Sequence, residues 1–197
     1  MSKFAFVDET FRDPSSSVTA YYQLTALLVE DSEVSSLRAA TVAIAPASGF
    51  HASVLANRGD ELAVEKMLQH SAETGWHVVV VSAEHHGIGQ EVARQRCLAT
   101  LLEHVDQQKI TRVVADSRLA IVGRDPQARN KYDLATLVAL RRQQTVSRHL
   151  TLTHESGKNE QLLWLPDAVG WAFRQQELRG RQDFWDYVSG VTTVIRI

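Results

Sequence analysis

HVVVV, at residues 77–81, decides the fold class, because its four consecutive valines leave no polar face on the segment. A short, continuous run of β-branched residues is typical of a strand buried on both faces of a sheet. Leu98, Leu101 and Leu102 follow it at helical spacing. A strand followed by an amphipathic helix is the unit from which α/β proteins are built.

The sequence before this strand predicts an antiparallel hairpin. KFAFVD (3–8) has an unbroken apolar middle and should end at Asp8 and Glu9, and YYQLTALLVE (21–30) is rich in β-prone residues. The stretch DPSSS (13–17) between them is turn chemistry. The first two strands should therefore pair through a long loop.

The rest of the chain alternates between predicted strands and helices. Strands are expected at 40–45, 111–116 and 150–153, and helices at 61–73, from 125 to about 142, and from Pro166 onward. The β-like VTTVIRI (191–197) predicts an edge strand or a partner contact. Residues 1–197 thus predict one α/β domain, a mixed sheet with helices packed on it. A purely parallel sheet is less favoured, because no helix separates the opening strands.

Length and composition exclude several classes of protein. The chain has 197 residues, of which 44% are hydrophobic and 22% charged, with too few prolines and glycines for a disordered chain. No apolar run is long enough to span a membrane, and the N-terminus has no export signal, so we expect a cytoplasmic protein. The single cysteine, Cys97, rules out an internal disulfide and predicts a buried helical thiol.

Charge is distributed unevenly along the chain. The net charge of −2 excludes a basic surface over the whole protein, but residues 118–149 hold seven basic and two acidic side chains, a local charge of +5. This segment could bind an anion such as nucleic acid, or it could form a solvated helix. The candidate nucleic-acid contacts are Arg124, Arg129, Lys131, Arg141 and Arg142.

Familiar catalytic motifs are missing from the sequence. It has no glycine fingerprint for dinucleotides, no phosphate loop, no nucleophile elbow and no His-Glu-x-x-His zinc motif. The loop EHHGIG (84–89) gives a weak signal for a nucleotide or anion at a helix start, although a plain turn explains it better. Its adjacent histidines, His85 and His86, point apart and predict surface imidazoles rather than a metal site.

Three aspartates are placed where elements should begin or end. Asp8 and Asp116 end predicted strands, and Asp167 begins the last long helix. Strand ends meet at one rim of a sheet, and carboxylates that converge there repel one another unless a cation such as Mg²⁺ or Mn²⁺ offsets their charge. Each aspartate also has a local explanation, as a turn residue or, for Asp167, as a charge that complements the helix dipole.

Several segments together resemble a bacterial family catalogued as domain of unknown function 3800. They are FVDET (6–10), YYQLTALLVE (21–30), VVADSR (113–118), THESGKNEQLL (153–163) and LLWLPDAVGWAFR (162–174). The resemblance implies a ribonuclease H-like fold and metal ligation by Asp8, Asp116 and Asp167. It also implies phosphodiester hydrolysis with two divalent ions, Mg²⁺ or Mn²⁺.

The sequence departs from the family pattern at several positions. Trp164 stands where the family prefers Gln and Pro166 where it prefers Ala, and no acid precedes the Phe50-His51 pair. Glu61 and Glu65, on a predicted helix, are candidate substitutes for the missing ligand.

The neighbour of Asp8 is a secondary candidate ligand. Adjacent side chains on a regular strand point to opposite faces, so Asp8 is favoured over Glu9.

These observations predict a divalent-metal-dependent nuclease or phosphoryl-transfer enzyme, with DNA and RNA both open as substrates. Two alternatives remain. One is a non-catalytic module that binds nucleic acid or protein through the arginine-rich segment, and the other is a small nucleotide-binding domain that uses the loop at 84–89. A homodimer is a further expectation.

Overall fold

A mixed sheet of six strands forms the centre of the part of the chain that the computed structural model describes, residues 3–12, 21–82, 89–118 and 128–197. The strands are β1 (Lys3–Arg12), β2 (Tyr21–Glu30), β3 (Trp76–Ser82), β4 (Arg112–Asp116), β5 (Thr151–Glu155) and β6 (Thr192–Arg196). Their order is β5-β4-β1-β2-β3-β6. β2 is antiparallel to β1 and β3, whereas the other neighbouring pairs are parallel. The predicted mixed sheet is confirmed, and the purely parallel alternative is wrong.

Helices cover both faces of this sheet. They are α1 (Val34–Ile44), α2 (Ala52–Asn57), α3 (Glu61–Thr74), α4 (Gly89–Gln107), α5 (Ala128–Gln143), α6 (Trp164–Arg179) and α7 (Gln182–Trp185). Helices α1, α2, α3, α6 and α7 share one hydrophobic core with the sheet, and α4 and α5 share the other. Cys97 of α4 is buried in the second core, as predicted. No helix in the described ranges has the length and apolar character needed to cross a membrane.

The strand predicted at 40–45 is wrong, because residues 40–44 belong to α1 and Ala45 is its C-cap. The stretch is rich in alanine, the residue with the highest helix propensity. Val34, Leu37 and Thr41 are the buried residues of α1, and their spacing places them on one helical face against the core. The predicted tail strand is confirmed as β6, which lies at the edge of the sheet beside β3.

The sequence predicted that β1 would end at Asp8 and Glu9, but the strand continues to Arg12. Its antiparallel pairing with β2 runs to the Arg12–Tyr21 pair, which keeps the strand extended. On its other side, the pairing with β4 stops at Val7–Ala115. Asp8 therefore lies just past the last β1–β4 pair, although it is inside β1.

Helix α6 approaches the sheet closely at Gly170. A Cβ atom at this position would lie 2.9 Å from both Gln23 Nε2 and Thr25 Oγ1 on β2. Gln23 Nε2 donates a hydrogen bond to the Gly170 carbonyl oxygen at 3.1 Å. Since Asp167 precedes Gly170 by three residues, both lie on the same side of α6. Because Gly170 has no side chain, this part of α6, and Asp167 with it, can approach the sheet closely.

Candidate active site

A cavity of about 890 Å³ opens beside the ends of the β1–β4 pairing, on the face that α6 covers. Its lining includes all three predicted aspartates, Asp8 from β1, Asp116 from β4 and Asp167 from α6. The structure therefore brings together side chains from the first strand, a central strand and the last long helix. The spacing of these three residues in the sequence does not by itself show that their side chains come together.

Asp8 lies in an environment that disfavours its charge. Burial raises the pKa of Asp8 well above the ordinary value of 3.8, and the negative charges of Asp167 and Asp116 raise this pKa further. A hydrogen bond from the backbone amide of Glu9 opposes the shift. The three carboxylates thus interact electrostatically across the cavity, and a cation would relieve their repulsion.

Asp116 ends β4, in surroundings that raise the pKa of its carboxyl group. Burial is the largest cause of the raised pKa of Asp116, and the charges of Glu9 and Asp167 act in the same direction. Hydrogen bonds from the backbone amides of Ser117 and Gly157 oppose this shift. The turn after β5, which contains Gly157, borders the same cavity as Asp116.

The side chain of Asp167, on α6, is hydrogen-bonded to the first residue of α2. Its Oδ2 accepts a hydrogen bond from the backbone amide of Ala52 at 2.8 Å and lies 3.3 Å from His51 Nδ1. The hydrogen bond to Asp167 is the main cause of the raised pKa of His51. The Asp167 side chain is 16% exposed and that of His51 62%, so the aspartate lies deeper in the cavity.

Glu9 directs its carboxylate to the other face of the sheet, as alternation along β1 predicts. Its Oε2 accepts hydrogen bonds from Tyr22 Oη and Arg94 Nη1. The guanidinium of Arg94 also donates to Asp133 at 2.9 and 2.7 Å, and Asp133 lies 2.8 Å from His154 Nε2. Glu9 borders the cavity, but its carboxylate belongs to this buried ion-pair network.

Neither proposed substitute on α3 is among the residues that line the cavity. Glu61 Oε1 accepts a hydrogen bond from Arg181 Nη1 at 2.7 Å, and Glu65 accepts one from Tyr187 Oη. Both glutamates thus contact the C-terminal segment rather than the three aspartates.

Four of the five predicted nucleic-acid contacts lie on a helix away from the cavity. Arg124 falls outside the described residues, and the others belong to α5, which packs on the face opposite α6. Arg141 donates to the carbonyl oxygen of Leu150, whereas the side chains of Lys131 and Arg142 are exposed. Nucleic-acid binding by α5 stays a prediction.

Two cationic side chains at the cavity escaped the sequence analysis. Arg58 follows α2 and Lys158 lies in the turn after β5, and both line the cavity and are exposed. Within the described ranges, neither charged group has an ion-pair or hydrogen-bond partner. The turn SGKNE, which contains Lys158, belongs to a segment of the resemblance, but no signal in the sequence marked Arg58.

The donor chemistry of the cavity suits a hard divalent cation, because carboxylate oxygens are the ligands that Mg²⁺ and Mn²⁺ prefer. Burial, and then the charges of Asp167 and Asp116, raise the pKa of Asp8, and a bound cation would offset the repulsion among these carboxylates. Across the described ranges, no group of three or more His, Cys, Asp or Glu side chains is already placed to hold a metal ion. Ligation would therefore require the carboxylates to adjust around the ion.

The loop at 84–89, the basis of the nucleotide-binding alternative, lies outside the described residues except for Gly89, the first residue of α4.

Comparison with known proteins adds no assignment of function. No model of a protein family matches this chain, and no curated protein matches it with significant similarity.

Proposed function

We propose that this chain is a ribonuclease H-like, divalent-metal-dependent phosphodiesterase that acts on nucleic acid in the cytoplasm. The observation that carries the proposal is the convergence of Asp8, Asp116 and Asp167 in one cavity, where the charges of the other two acids add to burial in raising the pKa of Asp8. Burial of uncompensated carboxylates is costly to stability and is typical of a functional site.

The three aspartates would hold Mg²⁺ or Mn²⁺. When bound, such an ion activates water and stabilises the oxygen that leaves phosphorus. The chain itself orients Asp167, because the backbone amide of Ala52 donates a hydrogen bond to its carboxylate. In hydrolysis, the water oxygen forms a bond to phosphorus, the ester P–O bond breaks, and a water proton ends on the leaving oxygen.

The cations at the cavity support an anionic substrate. Arg58 and Lys158 are exposed on elements that flank the aspartates, and His51 contacts Asp167. Guanidinium and ammonium groups bind phosphate oxygens, so these residues would attract and position a phosphodiester. The aspartates lie deeper in the cavity than the basic side chains at its rim. Metal and substrate would therefore bind to different residues.

The sheet and the sequence resemblance also support the ribonuclease H-like assignment. β1 lies in the middle of the sheet, with antiparallel β2 on one side and parallel β4 on the other. This arrangement places the acid of the first strand next to that of β4. The segments that carry the resemblance include all three aspartates.

A non-catalytic module that binds nucleic acid or an acidic protein is the second candidate. The exposed side chains of Lys131 and Arg142 on α5 favour it, because they form a basic surface separate from the cavity.

Cleavage of labelled oligonucleotides tests the proposal. Purified protein is incubated with single- and double-stranded DNA and RNA in Mg²⁺, in Mn²⁺ or in EDTA. We expect cleavage only with metal, and we expect Asp8→Asn and Asp116→Asn to abolish it. Asp31→Asn, at an exposed turn, is the matched control. Metal-dependent cleavage that survives both cavity substitutions would overturn the assignment.

A further inference from the structure

We propose that Trp164 stacks on an unpaired base, so that the cavity takes single-stranded nucleic acid rather than duplex. This inference rests on the proposed function, because it places a nucleic-acid strand across the three aspartates. It also gives a role to a residue that departs from the family pattern.

The indole of Trp164 lies where a substrate would pass. Trp164 is the first residue of α6, three positions before Asp167, so both project from the same side of the helix into the cavity. Its side chain is half-buried. In contrast, Trp171 and Trp185 are buried in the core in edge-to-face contacts with Phe184 and Phe173.

The surroundings of Trp164 hold the ring in place. Its centroid lies 6.4 Å from that of Phe50, with the planes tilted by 38°. A Cβ atom at Gly157 would be 3.1 Å from the indole Nε1, so the glycine lets the turn after β5 approach the ring closely. A ring ordered before binding loses little entropy when a base stacks on it.

Two cationic side chains lie near Trp164 and could bind the phosphates of a single strand. Arg58 and Lys158 come from separate loops that border the same cavity as Trp164. An aromatic platform together with cations that follow the backbone is the usual way in which proteins bind single strands. In a duplex, neighbouring base pairs cover both faces of each base, so only an unpaired base presents a free face to Trp164.

Fluorescence anisotropy with labelled oligonucleotides measures this contact. The Asp8→Asn protein, in Mg²⁺, is titrated with single-stranded DNA, single-stranded RNA and the matching duplexes. Stacking contributes about 1 to 3 kcal/mol per base, so adding Trp164→Leu should weaken single-strand binding roughly 5- to 150-fold. Trp164→Phe should retain most of the affinity, and duplex binding should be weaker and insensitive to the substitution.

Trp76 provides the control, because it is 49% exposed and begins β3, at the end of that strand away from the cavity. Trp76→Leu should leave single-strand affinity unchanged. Single strands should also quench tryptophan fluorescence, and this quenching should disappear in Trp164→Phe, a readout that does not depend on the leucine variant folding.

The outcomes separate this inference from the proposed function. Equal affinity for duplex and single strand, with no effect of Trp164→Leu and no quenching from Trp164, overturns the stacking role even if metal-dependent cleavage is observed. Trp164-dependent binding of single strands without metal-dependent cleavage supports the stacking role and overturns the nuclease.

Discussion

Asp8 and Glu9 are consecutive residues of β1, and the sheet separates their carboxylates. Asp8 faces the negative charges of Asp167 and Asp116, whereas Glu9 accepts hydrogen bonds from Arg94 and Tyr22. Two neighbouring acids thus have opposite electrostatic surroundings. Removing the charge should have opposite effects at the two positions.

We expect Asp8→Asn to raise the free energy of unfolding of the metal-free protein and Glu9→Gln to lower it by about 1.5 to 3 kcal/mol, the range for a hydrogen bond to a charged group. The first change removes a repelling charge, and the second weakens the pairing of buried Arg94. Urea denaturation in EDTA measures both. A change of the same sign in both variants would contradict the electrostatic assignment.

The pH dependence of stability should identify Asp8 independently. Burial, and then the charges of Asp167 and Asp116, raise the folded-state pKa of Asp8 above 3.8, so the folded protein holds this proton more tightly than the unfolded chain. The resulting stability is complete below pH 3.8 and is lost as the pH rises through the folded pKa. The melting temperature of Asp8→Asn minus that of the parent should therefore increase from acid to neutral pH in EDTA. If this difference in melting temperature did not change with pH, the raised pKa could not be assigned to Asp8.

Asp167 allows its charge and its hydrogen bond to be separated. Asp167→Asn keeps an acceptor for Ala52 N–H, so metal-free stability should stay unchanged or rise, whereas Asp167→Ala should cost about 1 kcal/mol by leaving that amide unpaired. Mg²⁺ should raise the melting temperature of the parent, and both variants should reduce this shift. Calorimetric titration measures metal binding directly. Parent-like affinity in both variants would remove Asp167 from the metal site.

Gly170→Ala should damage the site without touching an acid. Its methyl group would lie 2.9 Å from the side-chain atoms Gln23 Nε2 and Thr25 Oγ1, and because both residues are buried we expect α6 to move away from the sheet, at a cost of about 1 to 3 kcal/mol. The movement displaces Asp167, and Mg²⁺ affinity should fall as well. Gly190→Ala is the control, since no atom lies within 4 Å of its added Cβ. Unchanged metal affinity in a destabilised Gly170→Ala protein would show that α6 does not set the position of Asp167.

Salt titrations should distinguish the cavity from the α5 surface. Replacing Arg58 and Lys158 with Gln removes two phosphate contacts, so the slope of log affinity against log salt for a single strand should become shallower by about 1.4. Replacing Lys131 and Arg142 with Gln should leave that slope unchanged if the cavity is the binding site. The reverse result would favour the binding-module alternative.

The sequence predicted elements well where hydrophobic pattern and length agreed. The bounds of β2 matched the prediction, and the valine run at 77–81 forms the middle of β3. The stretch at 40–45 was misread because a short apolar run fits a strand and a buried helical turn equally well. The end of β1 was misplaced because pairing with β2, a tertiary contact, overrides the local effect of Asp8 and Glu9.

The candidate site was predicted in part. Asp8, Asp116 and Asp167 were identifiable from their positions and from the resemblance, but their meeting depends on strand order and on the close approach of α6 at Gly170. Arg58 and the contact between Asp167 and Ala52 have no local signal, because they arise from the packing of α2 against α6.

The pairing of the first strand with the last long helix also sets an order of events during protein synthesis. Asp8 leaves the ribosome before Asp167, and it meets Asp167 only after α6 has been translated and has docked on β1 and β2. A nascent or truncated chain that ends before α6 therefore lacks the complete trio of acids. The proposed hydrolytic activity would be withheld until α6 has docked, so that chains in which this helix has not yet formed could not cleave nucleic acid near the ribosome that makes them.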